Sequence, residues 1–229
     1  MAAALEWVPQ TVISEGASRA EQLLSAAGFG IDEVTVSGHR FTADSDIFDA
    51  LDLPNVRTMV ALDSARVQVR LERLPWVATA ALRRNYPGRI DVAIIERLPF
   101  AIWLNGETAT LIDKSGRELS AIRASDWPAL PRIAGTGAPE AATALFDVLS
   151  SVPELRPSLL VATRVTQRRW RLELNNGVRL ELPPEGEATA LAELLHDARS
   201  RQLLETANTT LDLRSRTRIA VSPAGGLSR

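Results

Sequence analysis

The chain has 229 residues, 45% hydrophobic and 24% charged, a globular composition that excludes a disordered or collagen-like polymer. Its 26 basic and 28 acidic residues argue against a dedicated nucleic-acid binder, which carries a basic excess, and the absence of cysteine excludes disulfides, thiolate-bound zinc and thiol nucleophiles. No stretch approaches the ~20 apolar residues of a membrane helix, and residues 1–9 lack the basic start and apolar run of a signal peptide.

Residues 1–30 read as an amphipathic lead-in, with a short helix over 18–27 stopped by Gly28 and Gly30. Residues 31–37 partly alternate and end at Gly38, which predicts a strand and a turn. Thr42 and Asp44 are placed to cap a helix over 45–51, which Pro54 ends. Asp63 opens a second helix that Pro75 stops. Ala65, Val67, Val69, Leu71 and Leu74 form its apolar stripe, and Arg66, Arg70 and Arg73 line another face. Strands are predicted over 76–84 and 89–96, around the turn Tyr86-Pro87-Gly88. Residues 31–97 therefore read β-α-α-β-β, a three-stranded sheet covered on one face by two helices.

Beyond Leu98-Pro99 the pattern turns to strands. Residues 100–104 and 108–112 flank Asn105-Gly106-Glu107, a hairpin signal. A turn at 113–116 leads into a strand over 117–122; residues 128–133 read as extended and 141–151 as a helix. The clearest hairpin joins 170–174 to 178–182 through Asn175-Asn176-Gly177. Trp170, Leu172, Leu174, Val178, Leu180 and Leu182 form its dry face; Arg169, Arg171, Glu173, Arg179 and Glu181 form its wet face. Residues 187–205 read as one long helix, and 210–213 and 218–221 as closing strands.

Catalytic signals are missing from this pattern. His39 and His196 lie in no ligand-spaced cluster and read as exposed or structural. No nucleophile elbow, P-loop or dinucleotide fingerprint occurs. Asp113-Lys114-Ser115-Gly116 lacks the alternating acids of a calcium loop and reads as a hairpin turn. Arg164, Arg168, Arg169 and Arg171 are answered by Glu173 and Glu181, which points to cross-strand ion pairs rather than a nucleic-acid surface. Trp7, Trp76, Trp103, Trp127 and Trp170 read as core and boundary fillers. No catalytic, cofactor or metal site is expected. What remains is protein recognition. The short last strand is placed at a sheet edge, where another chain can add a strand or where a protected edge simply ends the sheet.

Several segments resemble, in order, the bacterial cell-division family FtsQ/DivIB. They are Val34-Thr35-Val36-Ser37-Gly38-His39-Arg40, Leu62-Asp63 opening a helix, Leu71-Glu72-Arg73-Leu74-Pro75-Trp76-Val77, Arg83-Arg84 ahead of Tyr86-Pro87, Ile90-Asp91-Val92, and Ile95-Glu96-Arg97-Leu98-Pro99-Phe100. Ala101-Ile102-Trp103, Leu111-Ile112-Asp113, Leu130-Pro131, the 170–182 hairpin and Leu211-Asp212-Leu213-Arg214 continue the resemblance, which covers residues 31–222.

The resemblance implies an α+β fold. A POTRA domain over 31–98 would precede a mainly antiparallel β domain with flanking helices over 99–223, with 1–30 as a juxtamembrane-like lead-in and 224–229 as a tail. It implies a non-enzymatic divisome scaffold without cofactor. That scaffold is single-pass in the inner membrane, through a helix absent from this sequence, with this part periplasmic at the division septum. It implies binding of FtsB and FtsL, contact with other divisome proteins through the POTRA domain, and regulation of septal peptidoglycan synthesis. In the family FtsB adds a strand to the last strand of the β domain. By position this assigns Leu213, Arg214, Ser215, Thr217, Arg218, Ile219, Ala220 and Val221 to the partner-binding edge. The alternative is a POTRA-containing, chaperone-like module of outer-membrane protein assembly or secretion, although such proteins carry tandem POTRA repeats and a long barrel of alternating strands.

Overall fold

The computed structural model describes residues 29–56, 58–215 and 218–223; the predicted helix at 18–27, Trp7, Thr217 and the tail lie outside these. The chain divides into two compact units, residues 1–97 and 98–229.

In the first unit, β1 (Glu33–Ser37), β2 (Val77–Asn85) and β3 (Arg89–Glu96) form a three-stranded sheet in the order β1-β3-β2. β3 is central, antiparallel to β2 and parallel to β1. The parallel pairing needs a crossover, supplied by helices α1 (Asp44–Leu51) and α2 (Ser64–Arg73). Ile47 and Leu51 of α1 and Val67 and Leu71 of α2 pack on Val77, Ala80, Ile90, Val92 and Ile94. Gly38 lets the chain leave β1 at φ +86; a Cβ there would lie 2.0 Å from the Ile94 carbonyl oxygen, so no other residue fits.

Two local expectations change. Thr42 does not cap α1, whose N-cap is Ala43 with no side-chain bond. Its hydroxyl instead bonds Glu96 at 2.6 Å, because the end of β3 offers a carboxylate that a local cap would leave unanswered. The stripe of α2 is narrower than expected: Val67 and Leu71 are buried while Val69 is half exposed. Asp63 does cap α2, accepting from the Arg66 N–H at 3.1 Å. Arg70 reaches from the polar face of α2 to the carbonyls of Ala50 (2.6 Å) and Leu51 (3.3 Å), satisfying the open C-terminal end of α1.

The second unit holds one nine-stranded sheet. Its strands are β4 (Ala101–Asn105), β5 (Thr108–Ile112), β6 (Glu118–Ile122), β7 (Arg132–Ala134), β8 (Leu159–Val165), β9 (Arg169–Leu174), β10 (Arg179–Glu181), β11 (Thr209–Asp212) and β12 (Ala220–Pro223). They lie in the order β12-β11-β10-β9-β8-β7-β4-β5-β6. Most neighbours are antiparallel; β10–β11, β4–β7 and β7–β8 are parallel. Helices α3 (Ala138–Ser150) and α4 (Glu187–His196) cover one face, bringing Leu145, Leu149, Leu191 and Leu194 onto Ala162, Trp170, Leu172, Leu180 and Leu211.

The hairpin of β9 and β10 forms as its alternation demands. All six residues of its dry face are buried, and Gly177 makes the turn at φ +80. On the wet face Glu181 pairs with Arg169 and Arg171, and Arg179 with Glu173. The expected single helix over 187–205 breaks. Asp197 takes an extended backbone and its carboxylate accepts from the Ser200 N–H (2.8 Å) and hydroxyl (2.7 Å), starting α5 (Ala198–Leu203). A local cap competes here with helix continuation and wins. β8 carries no strong alternation of its own; it is held between β7 and β9. Of residues 128–133, read as extended, only the last two join a strand, Arg132–Ala134.

Candidate protein-interaction edge

β12 is the terminal strand of the nine-stranded sheet, paired antiparallel to β11 on one side and to no strand of this chain among the described residues on the other. It is displaced by two residues from the predicted 218–221, and all four of its residues are exposed. Leu211 stands opposite Val221, so Val221 shares the core side of the sheet; Asp212 stands opposite Ala220, on the wet side. Pro223 stands opposite Thr209. Proline has no N–H to give to a ladder and belongs where its nitrogen faces away from the neighbouring strand. Antiparallel pairs alternate between bonded and non-bonded positions, so the Val221 N–H and carbonyl face outward as well.

The residues assigned by resemblance fall into three groups. Ala220 and Val221 are in the edge strand, 0.5 exposed in the case of Val221 (52%). Arg214, Ser215, Arg218 and Ile219 lie on the connection that brings the chain to it, with Ile219 packed against the core. Leu213 is buried at 5% exposure, and its N–H bonds the Glu181 carbonyl at 3.0 Å. Thr217 lies outside the described residues.

Asp212 organises the exit from β11. Its Oδ1 accepts from the Arg214 N–H (3.0 Å) and Nε (2.8 Å), and its Oδ2 from Arg214 Nε (2.9 Å) and the terminal guanidinium nitrogen. These bonds from Arg214 hold the Asp212 carboxyl below its usual range and raise the arginine in return.

A groove of about 890 Å³ opens beside this connection. Helix α4 and the residues before it supply Glu185, Ala190, Glu193 and Leu194; the connection supplies Leu213, Arg214, Arg218 and Ile219. The α4 side was not singled out from sequence. Its one readable signal was Asp197 three residues ahead of Ser200, a cap pattern inside an otherwise helical run.

The remaining polar candidates are structural. His39 bonds Asp44 at 2.7 Å, His196 is exposed, and Asp113 Oδ1 accepts from Ser115 and the Arg117 N–H in a tight turn. Among the described residues no group of three or more His, Asp or Glu side chains converges as metal ligands would, and no helix is long and apolar enough to cross a membrane.

A helix-covered β-α-α-β-β unit followed by a large mixed sheet defines a POTRA-containing α+β protein. The family described as POTRA domain, FtsQ-type, matches residues 29–97, and Cell division protein FtsQ/DivIB, C-terminal, matches residues 101–214. The cell division protein FtsQ of Rhizobium meliloti is 38% identical over 208 residues, covering 90% of this chain and 67% of that protein. FtsQ of Agrobacterium fabrum is 33% identical, covering 88% of this chain and 64% of that protein. FtsQ of Caulobacter vibrioides is 31% identical, covering 89% and 67%. The chain belongs to the FtsQ/DivIB family of cell-division proteins and spans about two thirds of the length of these relatives. That is a family of division proteins rather than a known enzyme family.

Proposed function

We propose that this chain is the partner-binding, periplasmic part of a non-enzymatic divisome scaffold. It is held at the division septum by an inner-membrane helix outside this sequence and binds FtsB and FtsL, with FtsB adding a strand at β12. Through these partners it takes part in regulating septal peptidoglycan synthesis. The observation that carries this reading is the position of β12: a strand of four exposed residues at the end of a nine-stranded sheet, with an outward-facing backbone pair at Val221. Such an edge accepts an extended segment through main-chain hydrogen bonds.

The edge is short, and its energetics are correspondingly modest. A four-residue strand offers outward groups at alternate positions only. A few hydrogen bonds at ~0.5–1.5 kcal/mol each do not offset the roughly 4–15 kcal/mol lost on association. Side-chain contacts near the edge, and tethering of both partners to one membrane, supply the rest. The test is calorimetric titration of this chain with the periplasmic part of its own organism's FtsB, alone and joined to FtsL. Val221→Pro removes an outward donor and leaves the ladder to β11 intact. Binding by the parent and its loss in a folded Val221→Pro variant are expected. No heat with either form of the partner refutes the reading, and binding indifferent to the substitution moves the site off β12.

A further inference from the structure

We draw no further inference here: the strongest candidate, the surface patch on the face of the first unit's sheet opposite its two helices, where Thr79, Ala81, Ala93 and Ile95 stand exposed beside one another, is an unpartnered, largely apolar face, and nothing in the structure shows what covers it.

Discussion

Removing the carboxylate of Asp212 should loosen the edge strand without unfolding the unit that carries it. Asp212 closes the last position of β11 opposite Ala220, and its two oxygens take the backbone and guanidinium donors of Arg214. Charge-assisted bonds of this type are worth ~1.5–3 kcal/mol when shielded, but the Arg214 side chain is 47% exposed. Screening brings the expected loss for Asp212→Asn to about 1 kcal/mol. Asp212→Ala, which also strips the acceptor from the Arg214 N–H, should cost about 1–2 kcal/mol. On a unit of this size each kcal/mol lowers the melting temperature by ~3–5 °C.

The effect also has a defined pH window. The folded carboxyl is held below its usual range by Arg214. Its contribution is therefore complete above the unfolded aspartate value of about 4 and is lost as the pH falls through the depressed folded value. The gap between parent and Asp212→Asn should close in acid. Melting curves from neutral pH downward measure this, and amide exchange localises it, with faster exchange expected at Thr210 and Ser222, which face each other across the β11–β12 ladder, and little change in β9. Equal melting temperatures at neutral pH, or exchange that rises throughout the sheet, would refute the proposed clamp.

Two further outcomes follow from the cores and the loop of the first unit. Trp170→Ala removes a ring that is 2% exposed and should cost ~3–5 kcal/mol; limited proteolysis should open the second unit while fragments of the first unit persist. Glu96 accepts from the Phe41 N–H (2.9 Å), the Thr42 N–H (2.7 Å) and the Thr42 hydroxyl (2.6 Å). Burial pushes its carboxyl up, but these bonds together hold it below its usual range. Glu96→Gln turns a donor toward donors and should cost about 1–2 kcal/mol at neutral pH. The difference should fade in acid below about pH 4, as read by urea unfolding at both pH values.

Much of the architecture was legible because the determining signals are local. The β9–β10 hairpin is written in strict alternation around Asn-Asn-Gly, and it forms with the expected buried side and the expected ion pairs on the other. The cap at Asp63 likewise needs only the next three residues. Other features required partners distant in sequence. Thr42 looked like a cap until Glu96, 54 residues away, took its hydroxyl. The run at 187–205 looked continuous because its apolar spacing survives the break, whereas the Asp197 cap exploits a competing local bond.

The candidate site divides in the same way. Sequence alone determined that a short closing strand exists, that the chain carries no recognisable catalytic motif, and that apolar and charged residues alternate near its end. Only the tertiary structure decided that this strand ends a nine-stranded sheet, and that α4 lines a groove beside it with acidic residues. Periodicity records which face of a strand is buried, because burial acts on each residue. It does not record which strand lies outermost, because that depends on pairings between segments far apart in the chain.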